Sequence, residues 1–165
     1  MNITFKGNPV TLRGTVLKEG DKMPDTILYD NQLNPVHAKD LPGIKVFVVV
    51  PSLDTGVCDM EVKKFNEKAA SLPGVSIYGI SLDLPFAQSR WCASNGIEHV
   101  RTLSDYYNRD FGYTTGTFIE QLALLTRAVF IVDDTSKILL AQYVPEVTDH
   151  PDYDTIYAKL EELAG

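Results

Sequence analysis

Apolar runs along this chain alternate with segments in which apolar residues recur every three or four positions. The run 44–50 has four successive β-branched or aromatic residues, Val46 to Val49, and predicts a strand that is buried on both faces. Helical spacing then predicts a helix over 58–71, and a second apolar run predicts a strand over 75–81. Strand, helix and strand within about 40 residues predict a βαβ unit with a parallel strand pair.

The remaining pattern predicts shorter elements around this unit. Residues 3–6 and 9–12 predict an N-terminal β-hairpin with its turn at Gly7-Asn8-Pro9. A helix over 84–95, capped by Asp83, has few apolar positions and so little surface to bury. The other predicted elements are a strand over 26–29, a strand over 100–104, a helical turn or two over 106–111, an irregular segment over 112–117, a hairpin of 128–132 with 138–144, and a helix over 151–163. Together they predict an α/β fold with a central mixed sheet flanked by helices.

Length and composition restrict the class of protein. A chain of 165 residues with 44% hydrophobic residues is expected to form one domain over 1–165 with a real core. Its net charge of −7 argues against nucleic acid or an anionic membrane surface as a partner. No run of 18 apolar residues occurs, and the first residues do not resemble a signal peptide. We therefore expect no membrane segment and a cytoplasmic location.

The two cysteines, Cys58 and Cys92, lie 34 positions apart and form no Cys-x-x-Cys pair. This spacing argues against a thioredoxin-type dithiol and against a structural zinc site. The three histidines, His37, His99 and His150, are scattered without ligand spacing, so we expect no metal and no cofactor. In a reducing compartment the two thiols are either inert core residues or a redox pair.

Cys58 follows the apolar strand and begins the next helix. If Thr55 is the N-cap, Cys58 occupies the third helical position, where free backbone N–H groups and the positive end of the helix dipole favour a thiolate. The Thr55 hydroxyl is also within local reach of the sulfur. Only the thiolate is nucleophilic, and an unperturbed thiol with a pKa of about 8.5 is mostly protonated at neutral pH. Pro51 stiffens the loop before the helix.

The nearest charges have the wrong sign for a reactive thiol. Asp54, Asp59 and Glu61 are acidic, and like charge disfavours a thiolate. If Cys58 is reactive, these carboxylates are expected to point to solvent, and a cation must come from elsewhere in the fold. The residues alone do not choose among the candidates, which are Arg90, Arg101, Arg109 and Arg127.

The pattern Pro51-x-x-x-Thr55-x-x-Cys58 after an apolar strand resembles the active-site motif of the peroxiredoxins. The longer string 52–58, followed by Lys64-Phe65-Asn66, is similar to the thiol peroxidase subfamily, the atypical two-cysteine peroxiredoxins. Further segments that resemble this subfamily are 5–10, 81–87, 90–92 and 127–133. The resemblance therefore covers essentially the whole chain.

The resemblance implies a thioredoxin-like fold and a role for each matched residue. Cys58 would be the peroxidatic cysteine, which attacks a hydroperoxide and becomes a sulfenic acid. Thr55 would position the peroxide, Arg127 would stabilise the thiolate and the peroxide oxygens, and Pro51 would shield the site. Cys92 would be the resolving cysteine, which forms an intramolecular disulfide with Cys58.

The resemblance also implies substrates and partners. The substrates would be hydrogen peroxide and organic hydroperoxides, the reductant a thioredoxin-type protein, and the assembly a homodimer. Because a disulfide requires Cα atoms within about 7 Å, we expect the two cysteines to start too far apart and the 84–95 helix to unwind. Two alternatives are a redox sensor or relay that uses the same disulfide, and a non-catalytic binding module with unreactive thiols.

Overall fold

Seven strands form a mixed sheet at the centre of the computed structural model, which describes residues 1–164. In spatial order they are β12 (Ile138–Tyr143), β11 (Ala128–Val132), β6 (Ile44–Val49), β7 (Val75–Ser81), β8 (Val100–Ser104), β4 (Ile27–Tyr29) and β5 (Pro35–His37). The three central strands β6, β7 and β8 are parallel, and the outer strands pair antiparallel with their neighbours. The predicted mixed sheet and the predicted hairpin of β11 with β12 are confirmed.

Strand β6 lies in the middle of this sheet because its side chains are apolar on both faces. Val46 to Val49 are completely buried, as the uninterrupted apolar run predicted. Helix α1 (Gly56–Ala69) connects β6 to the parallel strand β7, which confirms the βαβ unit. The helix begins and ends two residues earlier than its apolar spacing indicated.

Helices cover both faces of the sheet. The other three are α2 (Pro85–Asn95), α3 (Asp110–Thr115) and α4 (Tyr153–Ala164). On one face, Val46 and Val48 belong to a buried cluster with Phe65 of α1 and Leu160 of α4. On the other face, the alternate strand residues belong to a second cluster, which includes Phe111 of α3. The two clusters follow from the alternation of side chains along each strand.

The N-terminal hairpin is confirmed, although its turn lies one residue earlier than predicted. Strands β1 (Ile3–Phe5) and β2 (Asn8–Val10) pair antiparallel. The turn between them is Lys6-Gly7, with φ angles of 51° and 80°. Positive φ at both positions is typical of the two-residue turn that matches the twist of a hairpin.

Three short strands and one 3-10 turn contain too few residues for a pattern to predict them. Strands β3 (Leu12–Arg13), β9 (Phe118–Ile119) and β10 (Leu124–Leu125) form a small separate sheet in the order β10, β9, β3. A single 3-10 turn spans Ala38–Asp40. The predicted boundary between a helical turn over 106–111 and an irregular segment over 112–117 was wrong, because helix α3 takes residues from both ranges.

The predicted helix cap at Asp83 was also wrong. Leu84 occupies the N-cap position of α2 and makes no side-chain capping bond. The Asp83 carboxylate instead accepts hydrogen bonds from the Ser52 hydroxyl at 2.7 Å and the Leu53 N–H at 2.8 Å. The helix ends at Asn95, as predicted, and Gly96 follows it in the left-handed conformation. None of the helices formed by residues 1–164 has both the length and the apolar character needed to cross a membrane.

Candidate active site

Cys58 sits in the first turn of α1, where the chain turns from the end of β6 into the helix. Thr55 is the N-cap, with extended backbone angles, and its hydroxyl oxygen accepts a hydrogen bond from the Cys58 N–H at 3.3 Å. The same hydroxyl donates to the Ser52 carbonyl at 3.2 Å, so its proton is used within the loop. The predicted cap is confirmed, and Cys58 occupies the third helical position near the positive end of the helix dipole.

Arg127 is the cation that the fold brings to Cys58. It directly precedes β11 and is 2% exposed, which makes it one of the largest buried side chains. Its Nη1 donates to Glu61 Oε1 at 2.9 Å, and its Nε donates to the Val147 carbonyl at 2.8 Å. Burial acts to lower the pKa of Arg127, but Glu61 and Cys58 outweigh burial and raise it. The guanidinium is therefore held in one orientation between a carboxylate and the thiol.

Glu61 is the site residue that the sequence interpretation missed. It was expected to point to solvent, yet it is completely buried and paired with Arg127. Burial raises the pKa of Glu61 to about 7, although Arg127 acts in the opposite direction. The available signal was its position three residues after Cys58, because residues at this spacing share a helix face.

The other two acidic neighbours of Cys58 differ from each other. Asp54 is exposed, as predicted. Asp59 is half-buried, and its two oxygens accept hydrogen bonds from Trp91 Nε1 at 2.9 Å and from Lys63 Nζ at 2.8 Å. Asp59 therefore links the helix that carries Cys58 to the helix that carries Cys92, which the sequence interpretation did not foresee.

An apolar cleft of about 290 Å³ opens next to Cys58. Pro51, Thr55 and Val57 line it from the loop and the first helical turn, and Arg127 and Val147 line it from the opposite side. The hairpin residues Phe5 and Lys6, together with Ser52, Gly56, Leu124 and Thr148, complete the lining. Cys58 itself is fully buried behind these residues. The arrangement places a buried thiol and a fixed cation beside a pocket that is lined mainly by apolar groups.

Cys92 lies in α2 and is only half-buried. Its Sγ is 3.7 Å from the Thr102 hydroxyl on β8, and that hydroxyl donates to Asn31 Oδ1 at 2.9 Å. Burial raises the pKa of the Cys92 thiol, and the contact with Thr102 offsets this in part. Cys92 is therefore held mainly as a neutral thiol in a separate surface cleft.

The structure does not join the two cysteines. Both are free thiols, and their contact partners lie on different strands. Arg127 directly precedes β11 and Thr102 belongs to β8, and strands β6 and β7 lie between β11 and β8. Strands β11 and β8 are three strand spacings apart, about 14 Å, so the two thiols contact different parts of the sheet.

The other candidates from the sequence lie away from Cys58. Arg90, Arg101 and Arg109 line three other surface clefts. His150 bonds the Tyr153 hydroxyl at 2.6 Å, and His37 lies beside Asp25. Within residues 1–164 no group of three or more His, Cys, Asp or Glu side chains is arranged to hold a metal ion.

Known proteins are similar to this chain in both sequence and architecture. A family model described as Redoxin matches residues 18–157. The chain belongs to the Redoxin family. It is 53% identical to a thiol peroxidase of Clostridium acetobutylicum over 94% of this chain and 95% of that protein. It is 49% identical to a thiol peroxidase of Bacillus subtilis over 92% of each chain.

Solved structures agree with this Redoxin assignment. The crystal structure of a peroxiredoxin-like protein from Aquifex aeolicus superposes with a TM-score of 0.92 at 42% identity, covering 98% of this chain and 96% of that chain. A thiol peroxidase from Chromobacterium violaceum superposes with a TM-score of 0.90 at 20% identity, over 98% of this chain and 96% of that chain. The second likeness shows the fold alone, and it confirms the predicted thioredoxin-like architecture.

Proposed function

We propose that this Redoxin-family chain acts as one domain and is a thiol peroxidase that reduces hydrogen peroxide and organic hydroperoxides with Cys58. The observation that carries the proposal is the position of Cys58 at the start of α1, beside the buried guanidinium of Arg127. A helix start and a cation both favour the thiolate, which is the attacking form of cysteine. The names of relatives at about 50% identity support the same activity.

In the proposed first step, the Cys58 thiolate attacks the terminal oxygen of the hydroperoxide. The S–O bond forms as the O–O bond breaks, and the leaving oxygen takes a proton to become water or an alcohol. Cys58 is then a sulfenic acid. Arg127 faces the oxygens on which negative charge develops, and its bonds to Glu61 and Val147 preorganise it for this task. Thr55 and Pro51 shape the approach to the sulfur.

In the proposed second step, the Cys92 sulfur attacks the sulfur of the sulfenic acid, a disulfide forms, and water leaves with the Cys92 proton. We expect helix α2 to open for this step, because both thiols are free and contact different side chains, Arg127 for Cys58 and Thr102 for Cys92. A thioredoxin-type dithiol then reduces the disulfide and is itself oxidised. The half-exposed position of Cys92 in a weakly packed helix supports this assignment.

Two further parts of the proposal rest on surface features. A cleft of about 290 Å³ is larger than hydrogen peroxide needs, which supports organic hydroperoxides as substrates. Large apolar side chains are exposed near the loop that precedes α2, and this supports a homodimer. These side chains are Leu84, Phe86 and Tyr107, with exposed fractions of 53%, 66% and 68%.

The test is peroxide reduction coupled to NADPH through thioredoxin and thioredoxin reductase, with the wild type, Cys58→Ser and Cys92→Ser. Cys58→Ser should lose all activity, since the nucleophile is gone. Cys92→Ser should consume one equivalent of peroxide and then stop, because it cannot form the disulfide. Wild-type activity in Cys58→Ser would contradict the proposal. Stoichiometric oxidation of the wild type without turnover by thioredoxin would instead support the redox relay.

A further inference from the structure

The carboxylate of Glu146 binds two segments of the chain that are about 140 residues apart in sequence. Its Oε1 accepts hydrogen bonds from the Thr4 hydroxyl at 2.9 Å and the Gly7 N–H at 2.8 Å. Its Oε2 accepts from the Lys6 N–H at 3.1 Å, the Thr148 N–H at 2.8 Å and the Thr148 hydroxyl at 2.6 Å. These bonds lower the pKa of Glu146 to about 2, so the side chain is ionised at any physiological pH.

The first of these segments is the tip of the N-terminal hairpin. Lys6 and Gly7 form its two-residue turn, and both of their N–H groups point to the Glu146 carboxylate. Backbone bonds from Thr4 N–H to the Pro145 carbonyl and from Val147 N–H to the Thr4 carbonyl, each 2.8 Å long, continue the contact along the strand. The hairpin is thus docked on the 145–148 loop, with Glu146 at the centre of the contact.

The docked hairpin forms the outer wall of the cleft beside Cys58. Phe5 and Lys6 line this cleft from the hairpin, and Val147 lines it from the loop that Glu146 belongs to. Arg127 is buried, Phe5 is partly buried and Lys6 is exposed, so the hairpin lies at the outer end of the cleft and Arg127 at the inner end. Hydrogen peroxide is small enough to need only the inner end. The organic group of a larger hydroperoxide must extend toward the outer wall and bury apolar surface there.

We propose that Glu146 is a positioning residue that holds the hairpin as the outer wall of the cleft and thereby sets the selectivity for bulky organic hydroperoxides over hydrogen peroxide. The inference deepens the proposed function and rests on it. Glu146 touches neither Cys58 nor Arg127 in its hydrogen bonds, and Arg127 keeps its own bond to the Glu61 carboxylate. Loss of the Glu146 contacts is therefore expected to change the fit of the organic group more than the attack by sulfur.

The test compares second-order rate constants for cumene hydroperoxide and hydrogen peroxide in wild type and Glu146→Gln. Glutamine has nearly the same shape, but its amide NH2 group replaces one carboxylate oxygen. The N–H and O–H groups that donate to that oxygen therefore lose their acceptor. We expect the cumene hydroperoxide constant to fall about tenfold and the hydrogen peroxide constant to stay within twofold. Glu120→Gln, at an exposed glutamate in another loop, is the control and should change neither constant.

Phe5→Ala supplies a second variant that leaves the Glu146 bonds in place. We expect Phe5→Ala to lower the ratio of the cumene hydroperoxide constant to the hydrogen peroxide constant, as Glu146→Gln does. The double variant should have a ratio only slightly lower than that of either single variant, because both changes act on the same wall. Equal losses for both peroxides in Glu146→Gln, or an unchanged ratio in Phe5→Ala, would overturn the inference. Failure of the proposed function is distinguishable, since the wild type would then reduce neither peroxide.

Discussion

The two cysteines differ in how firmly the helix that carries each of them is packed against the core. Cys58 is completely buried, in a helix that packs Val62 and Phe65 into the core, and a buried ion pair lies next to it. Cys92 is half-buried, in a helix whose buried residues are only Pro85 and Gln88. Phe86, a large apolar side chain of α2, is 66% exposed, and Trp91 is only partly buried against the core.

Several of the contacts that hold α2 are hydrogen bonds. Gln88 Nε2 donates to the Ser81 hydroxyl at 3.1 Å and to the Leu103 carbonyl at 3.0 Å, and Trp91 donates to Asp59. Each hydrogen bond contributes about 1 kcal/mol, because water can take the place of the lost partner when the helix opens. Water cannot replace the contacts of a packed apolar face in this way. The difference fits the proposed roles, in which Cys58 attacks from fixed surroundings and Cys92 moves to form the disulfide.

The largest effect is expected from breaking the buried ion pair with Glu61→Ala. The change leaves the Arg127 guanidinium buried without its carboxylate, which costs about 3–5 kcal/mol of unfolding free energy. Urea denaturation followed by circular dichroism measures the loss. Glu67→Ala, at an exposed glutamate on the same helix, is the control and should cost less than about 0.5 kcal/mol. Equal losses in the two variants would show that the pair does not stabilise this region.

Removing the cation should affect the reaction more than the fold. Because Arg127→Ala alone leaves Glu61 as a buried charge, the change is best made together with Glu61→Gln. We expect peroxide reduction to slow about 100-fold, equivalent to ~2.7 kcal/mol, since one preorganised donor is lost. Stopped-flow kinetics with hydrogen peroxide measures it. Arg101→Ala, at an exposed arginine, should stay within twofold, and a loss below about threefold in the double variant would exclude the counter-ion role.

The hold on α2 can be weakened with Trp91→Phe, which removes the indole N–H that donates to Asp59 and keeps an aromatic ring. We expect disulfide formation after one equivalent of peroxide to accelerate about tenfold, because a hydrogen bond to a charged acceptor contributes about 1.5 kcal/mol. Acid quenching followed by mass spectrometry measures the rate. Lys63→Ala is the control, because it removes the other hydrogen bond to Asp59 and keeps the bond from Trp91 to Asp59. Unchanged resolution in Trp91→Phe would show that another contact holds the helix closed.

The smallest effect concerns the pH dependence of Cys92. Its pKa is raised by burial, so the thiolate appears only at higher pH than in a free cysteine. In the Cys58→Ser variant, alkylation by iodoacetamide should be a few-fold slower than that of free cysteine at pH 8, and should still rise where free cysteine levels off. Thr102→Val should move the rise to still higher pH. A profile that matches free cysteine would indicate that α2 is already open.

Local signals predicted the part of the site that surrounds Cys58. The apolar run, the cap at Thr55 and the third helical position of Cys58 all depend on neighbours within a few residues, and the structure agrees with each. The preference for Arg127 came from a family resemblance, since spacing alone could not rank the four arginines. Asp83 and helix α3 were misplaced because their partners are set by tertiary contacts and not by adjacent residues.

The sequence by itself determined that a cysteine begins a helix at the end of a buried strand, and that a second cysteine lies in a helix with little apolar surface. Both facts follow from short-range periodicity and capping. Only the tertiary structure decided which charge reaches Cys58. The local sequence surrounds it with acids, but folding buries Glu61 against Arg127, 66 residues away. Burial makes an unpaired charge too costly, and therefore the carboxylate and the guanidinium enter the core together.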